Sequence, residues 1–204
     1  MTKICFGGSF NPIHIGHLMV ARAIAEAKGF TKVVLVPTAQ PPHKPNPADL
    51  AGSYHRLAMC QIVSHSDPLF EVEDLELHRQ GPSYTLDTAR ELKGRGWPEV
   101  AWLIGADMVH ILPQWHLPAE LLKEVRFAIA QRPGYEIDWE GLPGEFQMLR
   151  QQVVRAPLLE ISATEIRTRV GEGKSVRYLV TPEVEGYIRE QGLYQRRGES
   201  HPTT

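Results

Sequence analysis

Two histidines near the start of the chain have a spacing that suits phosphate chemistry. His14 and His17 flank Gly16, and they close a run, residues 7–17, that begins with two glycines after a short apolar segment. Glycines let a backbone approach a ligand closely, imidazoles can donate hydrogen bonds to phosphate oxygens, and a helix starting here would add free N–H groups. Each histidine alone could equally be a surface or helix-capping residue, but the pair behind a glycine turn predicts a phosphate site.

A second anion-binding pattern lies in the last quarter of the chain. Ser162 precedes Glu165 by three residues, which is the pattern of a serine that caps a helix. Thr164 offers a hydroxyl within the first turn, and Arg167 lies one turn further on with a planar fork of donors. Alone, this pattern is equally compatible with an ordinary capped helix and a solvated arginine. Together with the histidine turn, it predicts the second wall of a triphosphate site.

The elements that must position these residues alternate between strands and helices. Apolar runs predict strands at residues 3–6, 32–37, 70–72, 100–104, 127–130 and 158–161. Helical spacing predicts helices at residues 17–28, 53–64, 85–93 and 118–125, with Thr85 as a possible cap, and two more after Ser162 and Thr181. This order predicts an α/β fold: a Rossmann-like parallel sheet with helices on both faces and a small C-terminal helical part.

Composition limits the classes of protein to which the chain can belong. Its 204 residues are 42% hydrophobic, which predicts one domain over residues 1–196 and a polar, disordered tail over 197–204. A formal net charge of -2 argues against nucleic acid as a partner, and no apolar run is long enough to span a membrane. Cys5 and Cys60 form no metal or disulfide pattern. Reduced thiols and the lack of a signal peptide predict a cytoplasmic protein, and a homo-oligomer stays open.

Both anion motifs resemble those of the nucleotidyltransferase superfamily. Residues 14–17 match its H-x-G-H motif, and residues 161–167 match its second signature. Ser9 and Asn11 stand where many members have threonine and aspartate, and both keep a polar side chain. Class I aminoacyl-tRNA synthetases share the first motif but are much longer. The resemblance implies nucleotidyl transfer from a triphosphate, with contacts to ATP from Gly8, Ser9, Phe10, His14, His17, Ile161, Ser162, Thr164 and Arg167.

Segments in the middle of the chain resemble the nicotinate-nucleotide branch of this superfamily. By resemblance, His43 and Lys44 in a proline-rich loop contact the mononucleotide phosphate. Tyr84 and Thr85 open a helix that holds the pyridine acid, and Trp115 stacks on the pyridine ring. The resemblance further places His116 at the acceptor and Gly105 and Asp107 beside the adenosine, and residues 185–194 also look like this branch.

Each of these middle segments also has a plain explanation. The prolines at residues 41 and 42 could simply stiffen a loop, and Thr85 could only cap its helix. Trp115 could fill the core, and Asp107 could be an acid favoured at a helix start. The order of the segments along the chain is what favours the nicotinate acceptor, and a helix N-terminus with a hydroxyl suits a carboxylate better than a neutral amide.

The implied reaction is adenylyl transfer from ATP to nicotinate mononucleotide, which gives nicotinate adenine dinucleotide and pyrophosphate in NAD biosynthesis. By resemblance, His17 contacts the α-phosphate, His14 the triphosphate, and Arg167 the outer phosphates. Mg²⁺ is expected as cofactor, held by phosphates and water, since the sequence shows no dedicated carboxylate cluster. Three alternatives stay open: an enzyme for the amide acceptor or phosphopantetheine, a non-catalytic nucleotide-binding module, and a nucleic-acid-binding protein.

Overall fold

A six-stranded parallel sheet organises the described part of the computed structural model, which comprises residues 2–40, 50–131, 134–157 and 159–195. The strand order is β3-β2-β1-β4-β5-β6, and every neighbouring pair is parallel. This is the doubly wound order of a Rossmann-like fold, which confirms the predicted fold class. The strands are β1 (Lys3–Gly8), β2 (Lys32–Pro37), β3 (Phe70–Val72), β4 (Val100–Gly105), β5 (Val125–Gln131) and β6 (Val153–Arg155).

Helices connect the strands and follow the last one. Gly29 ends the first helix in a left-handed conformation, with φ of 73°, and Thr181 caps the last helix through its side chain. Three short 3₁₀ helices, Leu75–His78, Ala106–Gln114 and Gly144–Gln152, were not predicted. The α-helices are α1 (Ile15–Lys28), α2 (Ser53–Ser66), α3 (Thr85–Gly94), α4 (Pro118–Glu124), α5 (Ala163–Gly171) and α6 (Pro182–Glu190).

Two apolar clusters cover the two faces of the sheet. Adjacent strand residues alternate between them: Ile4 belongs to one cluster and Cys5 to the other. The first cluster includes buried residues of α1, α2, α5 and α6, and the second includes those of α3, α4 and the 3₁₀ helices. Cys5 and Cys60 are both buried, free thiols. Among the described residues, no helix is long and apolar enough to cross a membrane.

The predicted strand at residues 158–161 is wrong. The last strand is β6, which pairs with β5 through Ile129 and Val153. Residues 159–161 lie outside the sheet, and Pro157, which precedes this run, has no N–H to give to a strand ladder. Ile161 instead packs against the first cluster as the chain enters α5. Residue 158 lies outside the described residues, as do residues 196–204, so the predicted domain limit and tail stay predictions.

The strand order alone indicates where a ligand-binding site should lie. The order reverses between β1 and β4, and parallel sheets of this type bind ligands outside the carboxyl ends of the strands at such a reversal. Gly8 ends β1 and Gly105 ends β4. The glycine turn and the Gly105–Asp107 segment therefore lie at the edge where a nucleotide is expected.

Candidate active site

The two predicted histidines form a reciprocal cap at the start of α1. The Nδ1 atom of His14 accepts from the His17 N–H at 3.3 Å, and Nδ1 of His17 accepts from the His14 N–H at 3.3 Å. The rings stack with their centroids 3.6 Å apart, and His14 is buried. Because each Nδ1 acts as an acceptor, the proton of each neutral ring is on Nε2, which is therefore the ring's donor toward a phosphate.

Gly16 lets the second motif approach the first. A Cβ atom on residue 16 would lie 3.1 Å from Nδ1 of His14 and 3.5 Å from Cβ of Ile161. Any larger residue would push against the His14 ring, whose position is set by its cap hydrogen bond. The glycine between the two histidines is thus a packing requirement of the motif.

Phe10 fixes the glycine turn in an unusual backbone conformation. Its φ is 44°, in the left-handed region, which costs a non-glycine residue about 1–2 kcal/mol. Its buried ring makes edge-on contacts with Phe6 and His17, at centroid distances of 5.6 Å and 5.3 Å. The ring also lies against Gly8, where an added Cβ would be 3.2 Å from it. Packing therefore holds the strained turn and the His17 ring together.

The second motif makes contact with the first through Arg167. Ser162 caps α5, and its hydroxyl accepts from the Glu165 N–H at 3.1 Å, which is the serine half of the predicted capping box. Arg167 donates from Nη1 to the Asn11 carbonyl at 3.0 Å and from Nη2 to the Thr164 hydroxyl at 3.4 Å. Two motifs about 150 residues apart in sequence thus meet at one turn, as the anion-site prediction requires.

Asn11 connects this turn to two further segments. Its side-chain oxygen accepts from the Ala51 N–H at 3.0 Å and from the Tyr194 hydroxyl at 2.8 Å. Asn11 itself is buried. Sequence reasoning recorded Asn11 only as a departure from the superfamily pattern, whereas its amide joins the turn to the start of α2 and to the C-terminal segment.

The predicted acceptor residues that the structure describes lie after β3 and after β4. The rings of Tyr84 and His116 stack with centroids 4.3 Å apart and planes at 19°. Thr85 is the first residue of α3, and Tyr84 is the capping position, so the alternative that Thr85 caps the helix is wrong. Trp115 follows the 3₁₀ helix at residues 106–114 and packs, half-buried, on the second cluster. His43 and Lys44 lie outside the described residues.

The adenosine-side prediction concerns the carboxyl end of β4. Gly105 is the last residue of the strand, and Asp107 is exposed in the first turn of the 3₁₀ helix. The Asp107 carboxylate folds back over Gly105 so closely that a Cβ atom there would collide with it. A carboxylate beside the sheet crevice can accept hydrogen bonds from ribose hydroxyls.

Sequence reasoning missed a buried arginine beneath the turn. Arg56 in α2 is 1% exposed, and it donates from Nη1 to the Ser9 carbonyl at 2.8 Å and to the Thr38 carbonyl at 2.7 Å. Burial lowers the pKa of its guanidinium. A signal was present: Arg56 lies three, four and seven residues before the buried Met59, Cys60 and Val63, on the apolar face of the helix.

Sequence reasoning also missed a buried carboxyl group, that of Glu76, beneath the acceptor loops. Glu76 is buried, and its Oε1 accepts from the Thr88 hydroxyl at 2.8 Å. Burial raises the pKa of Glu76, against the opposing effects of Thr88, the neighbouring hydroxyls of Ser83 and Thr38, and the charge of Arg79. Glu76 belongs to a four-residue 3₁₀ helix, which is too short to give a periodic sequence signal.

The chain matches a known family model over most of its length. The model described as Cytidylyltransferase-like matches residues 5–169, a span that includes both anion motifs. A Bacillus subtilis protein named nicotinate-nucleotide adenylyltransferase is 38% identical over 198 residues, covering 96% of this chain and 100% of that protein. A Herpetosiphon aurantiacus protein named "Probable nicotinate-nucleotide adenylyltransferase" is 40% identical over 192 residues, covering 92% of this chain and 96% of that protein.

A solved structure has the same fold. The Plasmodium falciparum nicotinic acid mononucleotide adenylyltransferase, complexed with NaAD, superposes with a TM-score of 0.74 over 95% of this chain and 98% of that chain. The two sequences are 21% identical, so this likeness bears on the fold. It agrees with the α/β fold described above.

Proposed function

This chain is a member of the cytidylyltransferase-like family and of the nicotinate-nucleotide adenylyltransferases, and we propose that its crevice joins the AMP part of ATP to nicotinate mononucleotide. The products are nicotinate adenine dinucleotide and pyrophosphate. The observation that carries the proposal is the hydrogen bond from Arg167 to the Asn11 carbonyl, which unites the two anion motifs beside the stacked histidines. Such a cluster of donors at a helix start suits a triphosphate.

The transfer needs positioning more than proton chemistry. A phosphate oxygen of the acceptor attacks the α-phosphorus of ATP, a new P–O bond forms, and the bond to the bridging oxygen breaks as pyrophosphate leaves. Because the acceptor phosphate is already anionic, no general base is required. Catalysis then depends on holding the two oxygens in line and on stabilising the charge that develops on the phosphoryl oxygens.

The histidine turn and the start of α5 divide the phosphates of ATP between them. We assign the Nε2–H of His17 to the α-phosphate and that of His14 to the rest of the triphosphate, with Ser162, Thr164 and Arg167 at the outer phosphates. The cap geometry supports this, because it sets the tautomer that puts a donor on each Nε2. Gly8, Ser9, Phe10 and Ile161 bound the nucleotide, and Gly105 and Asp107 lie on the adenosine side.

The acceptor occupies the loops after β3 and β4. Trp115 stacks on the pyridine ring, and Thr85 with the N–H groups of the first turn of α3 holds the nicotinate carboxylate. The ten-residue α3 begins at Thr85, so its positive end lies at the hydroxyl. Tyr84 and His116 border the ring through their mutual stack. His43 and Lys44 are proposed for the mononucleotide phosphate on sequence resemblance alone.

We expect Mg²⁺ to enter with ATP. In the described part of the chain, no group of three or more His, Cys, Asp or Glu side chains is arranged to hold a metal ion. The available donor set therefore fits an ion that is held by phosphate oxygens and water, which is the usual coordination of Mg²⁺ in nucleotide enzymes. When bound, the ion neutralises charge on the leaving pyrophosphate.

Labelled ATP tests the proposed reaction. With nicotinate mononucleotide as acceptor, a label on the α-phosphorus should appear in the dinucleotide, and a label on the γ-phosphorus should appear in pyrophosphate. ATP without the acceptor is the control. Transfer of the γ label to the acceptor would contradict adenylyl transfer, and ATP binding without pyrophosphate release would favour a non-catalytic nucleotide-binding module.

A further inference from the structure

Arg56 makes hydrogen bonds to three backbone carbonyls from three separate segments. Besides the bonds from Nη1 to Ser9 and Thr38, its Nε donates to the Ala51 carbonyl at 3.0 Å. Ser9 belongs to the glycine turn after β1, Thr38 directly follows β2, and Ala51 lies two residues before α2. One planar group therefore sets the relative positions of these three segments.

The Ala51 peptide is held on both sides. Its carbonyl accepts from Arg56, and its N–H donates to the side chain of Asn11 in the glycine turn. The Thr38 N–H in turn donates to the Gly8 carbonyl at 2.9 Å. The three segments, of which the glycine turn is one, thus form a closed set of hydrogen bonds in which Arg56 is the central donor.

Folding alone does not explain a cation at this position. A buried guanidinium is costly unless its donors are hydrogen-bonded. Burial lowers the pKa of Arg56, against the opposing effects of the Cys60 thiol and the Tyr194 hydroxyl, and no aspartate or glutamate is among the groups that shift it. Its neighbours on the same helix face, Met59, Cys60 and Val63, are apolar. The three carbonyl acceptors around it do require a planar group with several N–H donors.

We propose that Arg56 is a positioning residue for adenylyl transfer, which aligns the ATP-binding turn with the chain segments that follow β2 and precede α2. This inference rests on the proposed function. Arg56 touches no substrate: it acts through Ser9, whose segment borders ATP, and through Thr38 and Ala51. Residues 39–50 connect these last two and contain the proline-rich stretch proposed for the acceptor phosphate. Misalignment of the two substrates by a fraction of an ångström is sufficient to slow an in-line displacement strongly.

The test compares Arg56→Lys and Arg56→Gln with Met59→Ala. Lysine keeps the charge but lacks the planar fork, and glutamine lacks both. Met59 lies one turn along the same buried helix face, so its truncation reports on destabilisation of α2 without loss of a carbonyl contact. The readouts are kcat per folded molecule, with the folded fraction taken from circular dichroism, and the dissociation constants for ATP and nicotinate mononucleotide measured separately.

We expect both Arg56 variants to lose about 10- to 100-fold in kcat, while the two dissociation constants change much less. Met59→Ala should keep its kcat per folded molecule even if its melting temperature falls as far as that of the Arg56 variants. Equal kcat losses in Met59→Ala and Arg56→Lys would make the role of Arg56 merely structural. A normal kcat in Arg56→Lys would also overturn the proposal. An inactive wild-type enzyme would instead refute the proposed function itself.

Discussion

The proposed nucleotide side and the proposed acceptor side of the crevice are built in different ways. On the nucleotide side, backbone and side-chain hydrogen bonds join residues far apart in sequence, as between Arg167 and Asn11 or between Arg56 and Ser9. On the acceptor side, the proposed contact groups are ring faces and a helix start, with Tyr84 stacked on His116, and Thr88 of the same helix donates to Glu76. We infer that the triphosphate meets a preorganised set of donors, and that the acceptor is recognised by stacking and by one anion-binding helix end.

Each side has one buried ionisable side chain, Arg56 on the nucleotide side and Glu76 on the acceptor side. Arg56 donates to three backbone carbonyls beneath the nucleotide side, whereas Glu76 accepts from the Thr88 hydroxyl beneath the acceptor loops. Both approach Thr38: its carbonyl accepts from Arg56, and its hydroxyl is among the groups that lower the pKa of Glu76. Thr38, which directly follows β2, is therefore close to both Arg56 and Glu76.

The largest effect should come from the nucleotide side, at His17. We expect His17→Ala to keep the fold and to lower kcat by roughly two to four powers of ten, because it removes a donor that acts on the developing charge. Steady-state pyrophosphate release measures it. His65→Ala, at the exposed end of α2, is the control for loss of a histidine. A folded His17→Ala enzyme with near-normal kcat would remove His17 from the mechanism.

Arg167 should give the next largest effect, and it too should act on ATP. Arg167→Lys replaces the fork that reaches Asn11 and Thr164 with a single ammonium group. We expect kcat/KM for ATP to fall by about 10- to 100-fold. Arg169→Lys in the same helix, where Nε donates to the Ser175 carbonyl, is the matched control. If the ATP dependence of Arg167→Lys matches that of the wild type, Arg167 has no part in binding the phosphates.

Trp115 tests whether the acceptor side is separable from the nucleotide side. Trp115→Ala should weaken nicotinate mononucleotide binding by about 1–3 kcal/mol, the scale of base–aromatic stacking, and should leave ATP binding almost unchanged. Calorimetric titration with each ligand measures both effects. Trp139, which also packs half-buried on the second cluster and lies against Arg150, provides the matched control variant Trp139→Ala. Equal weakening of ATP and acceptor binding would indicate that the two sides are not independent.

Thr85 should give the smallest and most selective effect. Thr85→Val keeps the shape of the side chain but removes a hydroxyl that can donate to the nicotinate carboxylate. We expect binding of the acid acceptor to weaken by about 1 kcal/mol, and binding of the amide acceptor to weaken less. The same titrations with both acceptors give the comparison within one variant. An equal loss for acid and amide would mean that Thr85 does not recognise the carboxylate.

Local motifs account for most of what could be predicted from the sequence. The turn at residues 7–17 and the cap at Ser162 are local motifs, so their spacing alone indicated an anion site and the helices that follow. The strands β1, β2, β4 and β5 were also predicted because their apolar runs are continuous, and β3 because Phe70 and Val72 flank a polar residue. β6 was not predicted, since Val153 and Val154 are its only apolar residues, and the longer apolar run that suggested a last strand follows Pro157.

Contacts between distant segments could not be predicted in this way. The stack of Tyr84 on His116 joins residues 32 positions apart, and no spacing rule connects them. Arg56 was recognisable only as a charge on an apolar helix face, and its partners are backbone carbonyls, which carry no sequence signal. The acceptor-side roles stay predictions because they were carried over by resemblance, segment by segment.

A competition between acceptors tests the central claim most directly. Wild-type enzyme receives ATP with equal amounts of nicotinate mononucleotide and its amide, and both dinucleotides and pyrophosphate are measured over time. Nicotinate adenine dinucleotide should form faster than the amide dinucleotide, with pyrophosphate released in equal amount to total dinucleotide. Faster formation of the amide dinucleotide, or no pyrophosphate release with either acceptor, would contradict it.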